Sequence, residues 1–310
     1  MKIFVTGATG AIGRAAVPQL VAAGHEVRAV ARTEGKAATV RAAGAEPVPV
    51  DLFDPDAVRD AVAGSEGIAH LATHIPAMRQ AMRKSAWEDN NRLRTEATRN
   101  LVAAARAADT RLLIKESITF IYPDCGADWI DEDVPVLAAG PLVVPTLEGE
   151  RIATDFTDDG HRGVVLRFGL FYGPDNRMID QGLRMARWRA SMLAGRAGAY
   201  MASIHVDDAG AAVASAIDAP AGIYNVGDDE PLTRREYLDA FSAAFELPKL
   251  RVTPGWVLKM LAGKNAGLLL ASQRVANARF RTATNWSPAY RSAREGWTAV
   301  AAAEKGTTSA

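Results

Sequence analysis

Along the first half of the chain, short apolar runs alternate with stretches whose apolar residues recur every three or four positions. Lys2 to Val5 (KIFV) is too short for a helix and is closed by Thr6-Gly7, so it reads as a strand. From Ala11 to Ala23 the residues Ile12, Ala16, Leu20 and Ala23 keep helical spacing, and Gly24 stops the run. The same alternation predicts strands over His25–Val30, Ala45–Val50, Gly67–Ala72, Arg111–Ser117 and Gly163–Phe168. Helices are expected over Asp56–Ala63, Trp87–Ala108 and Thr146–Asp158, with a Pro-, Gly- and Asp-rich loop over Asp124–Val144. Strand and helix in alternation predict an α/β protein, a doubly wound parallel sheet with right-handed crossovers.

Beyond Tyr172-Gly173-Pro174 the pattern changes. Met178–Leu193 reads as an arginine-bearing helix, Ser203–Ile217 as a strand turning helical at Asp207-Asp208, and Gly222–Gly227 as a strand. Thr233 and Glu236 form a capping box for a helix to Phe245. We expect a nucleotide-binding domain over 1–175, to which 204–230 return, and a smaller substrate-binding lobe from 176–203 and 231–310. Substrate would sit at their junction.

The turn between the first strand and its helix carries Gly7, Gly10 and Gly13, spaced G-x-x-G-x-x-G. The first glycine suits a backbone of positive φ, and the third allows the helix to approach the sheet. The helix N-terminus offers free N–H groups to phosphates. Because the triplet follows a strand and opens a helix, it reads as a dinucleotide cradle.

Composition narrows the class. A chain of 310 residues, 48% hydrophobic with net charge +0, holds a sizeable core and has no bulk pull toward nucleic acid or a membrane. One cysteine, Cys125, excludes a disulfide framework. The first apolar residues already form a strand, so no signal peptide is expected. No uncharged run is long enough to span a bilayer. A cytoplasmic protein is the default expectation, and the scattered histidines have no metal-ligand spacing.

Six stretches, in order, resemble the extended short-chain dehydrogenase/reductases, the NAD-dependent epimerase/dehydratase branch: Thr6–Gly13, Asp51-Leu52, His70-Leu71-Ala72, Leu166-Arg167 with Tyr172-Gly173-Pro174, Ile204–Asp208, and Tyr224–Gly227. The resemblance implies a Rossmann fold with a small C-terminal substrate-binding lobe. It also implies a nicotinamide cofactor touching Gly7, Thr9, Gly10, Ala11, Ile12, Gly13, Asp51, Leu52, Leu71, Ala72, Thr73, Phe168, Gly169 and Leu170. A homodimer through the helices near 87–108 and 146–158 is a further implication.

One departure is large. The branch uses Tyr-x-x-x-Lys on the helix after the fifth strand, the lysine lowering the tyrosine's pKa so that the phenol passes a proton while hydride moves. None of the six tyrosines here has a lysine four residues on, and no lysine lies between Lys115 and Lys249. One register puts Leu147 and Arg151 at the two positions, and the other puts Thr146 and Glu150 there. In the first, Arg151 could bond the ribose hydroxyls without supplying a proton.

Other proton donors are then candidates: Tyr122 at the end of the fifth strand, Ser117 in that strand, His74 after the fourth, and Glu148 on the helix. Strand alternation puts Ser117 and Thr119 on one face and Glu116 on the other. His70 and His205 read as structural. The second strand ends in Arg32 rather than an acid, with Arg14 and Lys36 nearby, which favours NADP over NAD despite Glu34. Arginines 177, 184, 187, 189 and 196 read as a solvated face rather than an anion site. Met178, Met185, Trp188 and Met192 hint at a pocket less polar than a sugar nucleotide needs.

These residues point to an NADP(H)-dependent oxidoreductase or epimerase-like enzyme on a small organic molecule, with a non-standard proton donor. Two other readings stand beside it. One is a redox-silent NADP(H)-binding regulator; the other is a lyase, isomerase or cyclase that keeps the pocket without hydride transfer.

Overall fold

A computed structural model describes residues 1–76, 80, 83–158, 160–174, 177–191, 193–262 and 266–308. Its frame is a seven-stranded parallel sheet. In chain order the strands are β1 (Lys2–Thr6), β2 (Glu26–Val30), β3 (Glu46–Val48), β4 (Gly67–His70), β5 (Leu112–Ile118), β6 (Arg162–Phe168) and β7 (Gly222–Val226). Across the sheet they lie β7-β6-β5-β4-β1-β2-β3, the expected doubly wound order. Strand order reverses between β1 and β4, and a crevice opens beyond the carboxyl ends at such a point.

Both faces are covered, which is why the strands read as nearly unbroken apolar runs. The helices that cover them are α1 (Ala11–Ala22), α2 (Glu34–Ala42), α3 (Pro55–Val62), α4 (Thr98–Ala107), α5 (Val143–Thr154) and α6 (Val206–Ser215). Ile3 and Val5 point to one face, where Leu20 of α1, Val40 of α2 and Val213 of α6 pack. Phe4 points to the other, among Val62 of α3, Leu101 of α4 and Ala153 of α5. Helix α1 packs closely on α6, where a Cβ on Gly210 would lie 2.6 Å from the Ala15 carbonyl carbon.

The helix expected over Trp87–Ala108 forms without a break from Glu88 to Ala107, but one turn of it is not α-helical. An α turn (Glu88–Arg92) runs into a π turn (Leu93–Ala97) before α4 begins. Tertiary contacts explain the wider turn. The Leu93 carbonyl accepts His70 Nε2 at 3.0 Å and the Thr98 hydroxyl at 3.3 Å. The Arg94 carbonyl lies against α5, 2.5 Å from where a Cβ on Gly149 would stand.

The helix expected over Met178–Leu193 ends at Ala186, and Arg189 follows in the left-handed region with φ +52°. Met192 lies outside the described residues, as do the side chains of Arg177 and Met178. A separate core joins Tyr172, Ile179, Leu232, Tyr237 and Phe241 to Trp297. The capping box of Thr233 and Glu236 forms as expected at the start of α7 (Arg234–Ala244). Residues 278–286, grouped on sequence with the smaller lobe, pack elsewhere: Phe280 and Trp286 join Tyr224 of β7 in the sheet core. Among the described residues no helix is long and apolar enough to cross a membrane.

His70 is structural and neutral. With Nε2 donating to the Leu93 carbonyl, Nδ1 accepts from the Thr6 hydroxyl at 2.6 Å. Burial, then the charge of Lys115, hold its pKa down from 6.5 to about 3. The unfolded chain therefore binds a proton that the folded chain refuses between those values. The resulting stability is complete above pH 6.5 and is lost as pH falls through 3. Urea unfolding across this window should show a loss of about 1.4 kcal/mol per pH unit that is absent from the slope of His70→Gln. Equal slopes in the two proteins would refute the assignment.

Candidate active site

A cleft of about 850 Å³ follows the carboxyl ends of the strands. Its β1–β3 half is a nucleotide cradle. Gly7 has φ +77°, and a Cβ on it would stand 2.6 Å from the Leu71 carbonyl. A Cβ on Gly13 would overlap the Gly7 carbonyl oxygen, so this glycine holds α1 against the turn although it does not line the cleft. Gly10 caps α1 with no side-chain bond, so the first amides of the helix face the cleft without a side-chain cap.

Thr9, Ala11, Ile12, Asp51, Leu52, Leu71, Ala72, Thr73, Gly169 and Leu170 line the cleft together with Gly7 and Gly10. Phe168 does not; it is buried in the sheet core. Arg32 and Lys36 line the end beyond β2, and neither has an ion-pair partner among the described residues. The Glu34 carboxylate is taken by Arg41 at 2.7 Å. A backbone cradle without Cβ atoms, uncapped amides and two free cations fit a dinucleotide diphosphate and ribose.

The β4–β6 half departs from what the sequence suggested. Helix α5 turns Thr146 and Glu150 inward, not Leu147 and Arg151. Thr146 lines the cleft, its hydroxyl donating to the Leu142 carbonyl at 2.6 Å. Arg151 is on the outer face, its side chain 60% exposed, paired with Glu148 at 3.0 Å and Asp155 at 2.5 Å. It does not reach the cleft. Glu148 faces outward as well, held by Arg151 and Arg99.

Glu150 is buried and bidentate to Arg167 of β6, at 2.9 and 2.7 Å. The Ser117 hydroxyl donates to the same carboxylate at 2.5 Å, so Ser117 points at α5 rather than into the cleft. Tyr122 is fully buried, accepting from Arg167 at 2.8 Å and donating to Asn225 at 2.9 Å. Burial pushes its phenol up, against the pull of Arg167. Strand β5 ends at Ile118, and Thr119 opens a 3₁₀ turn, so the expected alternation stops one residue short of it. Of the four proton-donor candidates, His74 alone lines the cleft; its backbone N–H donates to Asn90 Oδ1 at 3.1 Å.

A charged group not anticipated from sequence underlies this half. Glu116 accepts from Arg94 at 3.2 Å, and Lys115 Nζ lies 3.7 Å from its second oxygen. All three are buried, and Arg94 and Glu116 line the cleft. Burial outweighs the attraction of Glu116 and brings the Lys115 amine down to about 8. Its signal was two adjacent charges inside an apolar central strand, which demand interior partners. Among the described residues no group of His, Cys, Asp and Glu can hold a metal.

The family model described as the NAD dependent epimerase/dehydratase family matches residues 3–227. A 3-diazoavenalumate denitrifying reductase from a Streptomyces species is 35% identical over 96% of this chain and 99% of its own length. A 2-alkyl-3-oxoalkanoate reductase from Shewanella oneidensis is 26% identical, covering 88% of this chain and 73% of its own. The human epimerase family protein SDR39U1, solved with NADPH, shares the fold with TM-score 0.80 and 22% identity over 97% and 99% of the two chains.

The geometry gives two arginines different roles, Arg167 in a buried ion pair and Arg151 on the outer face. Arg167→Met strands a buried Glu150 carboxylate and should lower unfolding stability by about 3–5 kcal/mol. Arg151→Ala should leave both the unfolding midpoint and dinucleotide affinity unchanged. Denaturant titration and calorimetric binding measure both, and a loss of affinity in Arg151→Ala would return that residue to the cofactor site.

Proposed function

We propose a function for a chain that belongs to the NAD-dependent epimerase/dehydratase family: it is an NADPH-dependent reductase whose acceptor takes no proton from a tyrosine. The observation that carries this reading is the inward face of α5. Thr146 stands there, and Glu150, one turn on, is consumed by Arg167.

A nicotinamide bound in the cleft supplies the hydride. The chain's own residues bind and orient. Gly7, Gly10 and the first amides of α1 receive the diphosphate. Arg32 and Lys36 meet a further phosphate on the adenine ribose, and Glu34, the acid between them in sequence, is held by Arg41.

Reducing a carbonyl requires a proton as well as hydride. An acceptor that already carries positive charge does not. When hydride reaches a diazonium carbon, a C–H bond forms, the C–N bond breaks, and dinitrogen leaves with that bond's electron pair. The Streptomyces relative, named for reductive denitrification of a diazo compound, supports an acceptor of this class. A carbonyl acceptor is the second reading. It is favoured by the position of His74, which lines the cleft and carries an imidazole, a group suited to passing a proton.

Cofactor choice is tested by calorimetry. Arg32→Ala should weaken NADPH about 10- to 100-fold, the worth of a charge-assisted hydrogen bond, and leave NADH unchanged. The acceptor is tested with NADPH deuterated at the transferred position and an aryl diazonium salt. Deuterium on the ring carbon with release of dinitrogen is expected. Faster reduction of a β-keto acid, abolished in His74→Ala, would favour the carbonyl reading. Binding of NADPH with no oxidation by either acceptor would sink both and leave a redox-silent binder.

A further inference from the structure

The acceptor end of the cleft is walled by Ile75, Trp87, Ile118, Phe120, Leu142 and Leu269. They converge from separate elements: the segment after β4, the end of β5 and the turn that follows it, the turns before α4 and α5, and the helix Ala266–Leu270. Ile75 is 63% exposed and Leu269 43%, so large apolar side chains stand open at the mouth. Exposed large apolar side chains lining a concave site suit a ligand surface.

Charge sharpens the point. Among the described residues, the one arginine or lysine lining this end is Arg94, buried and paired with Glu116 at 3.2 Å. The other charged group of the rim is Asp89. Among the described residues this wall offers no free cation to the diphosphate of a sugar nucleotide, whose burial there would carry a large desolvation cost. Of the described arginines of the smaller lobe, Arg187 and Arg189 are exposed and stand outside the cleft lining, and Arg196 is paired with Asp124 at 2.6 Å. A flat apolar ring, by contrast, meets a lining of aliphatic side chains and two aromatic residues, Trp87 and Phe120.

We infer that this end of the cleft binds a flat aromatic acceptor and excludes sugar nucleotides. The inference rests on the reading of the other half as a nicotinamide-cofactor site. It is tested without turnover, by calorimetric titration of the full chain, alone and loaded with NADP⁺, using 2-naphthol, decan-2-one and UDP-glucose as probes. Naphthol is expected to bind about tenfold or more tighter than the alkyl ketone, with no heat from UDP-glucose. Leu269→Glu, on a partly exposed position that leaves folding intact, and Phe120→Ala should each weaken naphthol about tenfold and leave NADP⁺ affinity unchanged. Equal or tighter binding of UDP-glucose or decan-2-one, or unchanged naphthol affinity in both variants, would overturn the inference. A chain that binds naphthol but not NADP⁺ breaks the cofactor reading alone. One that binds NADP⁺ but not naphthol breaks this inference alone.

Discussion

The two oxygens of Glu150, each held by an N–H of Arg167, decide how this protein presents its cleft. Arg167 lies inside β6 with helices over both faces, and a guanidinium there must be met by a carboxylate and further acceptors. The helix within reach is α5. Once Glu150 answers Arg167, the phase of that helix is fixed. Gly149 sits on the Arg94 carbonyl, Thr146 turns to the cleft, and Glu148 and Arg151 turn to solvent. Ser117 and Tyr122 complete the bonding of the pair, and Tyr122 extends it to Asn225 of β7. Strands β5, β6 and β7 are thereby tied to one helix through a single ion pair.

The second buried group, Arg94 with Glu116 and Lys115, acts on the neighbouring element. Arg94 belongs to the π turn, whose Leu93 carbonyl is held by His70 from β4. The turn is therefore anchored on two strands, and it carries Trp87 and Asn90 to the cleft just upstream. Lys115 is where the arrangement gives up stability. Its amine is held down to about 8, so at neutral pH the folded chain carries a buried charge that the unfolded chain carries in water. That cost is relieved only as pH rises from 8 toward the ordinary 10.5.

Sheet order, the position of the cleft and the phosphate cradle were legible because each follows from local pattern. Apolar runs bounded by turns become strands, and Gly7 and Gly13 answer a positive φ and a backbone contact that any side chain would break. The phase of α5 was not legible. Thr146 to Arg151 reads T-L-E-G-E-R, amphipathic in no decisive direction, and one residue of slip turns a helix by about 100°. That rotation exchanges Arg151 for Glu150 and a ribose contact for a buried ion pair. Its warning lay on other elements, in Lys115-Glu116 and Arg167, charges set into apolar strands that needed a partner from somewhere. Tyr122 misled for a related reason: the end of β5 is where reacting groups gather, but the 3₁₀ turn at Thr119 carries its ring under the sheet edge toward Asn225. Trp87, Phe120 and Leu269 have no common sequence signal, since only the fold brings them to one wall.

The two halves of the cleft thus follow different logic. The half over β1–β3 keeps what a dinucleotide requires of any backbone: glycines at the close approach, amides at a helix start, and cations beyond β2. The half over β4–β6 has no tyrosine–lysine pair on α5: Thr146 and Glu150 stand on its inward face. The position one turn beyond Thr146 holds an acid that faces away, and the strand opposite holds the arginine that keeps it there. A simple loss of the phenol would leave a polar gap. Here the space is lined instead by Ile118, Leu142 and Phe120, and its one arginine is neutralised from beneath by Glu116. On the proposed reading, a cleft built this way sets an apolar wall beside the hydride that a bound nicotinamide would supply. It has no need of a proton only if the acceptor brings its own positive charge.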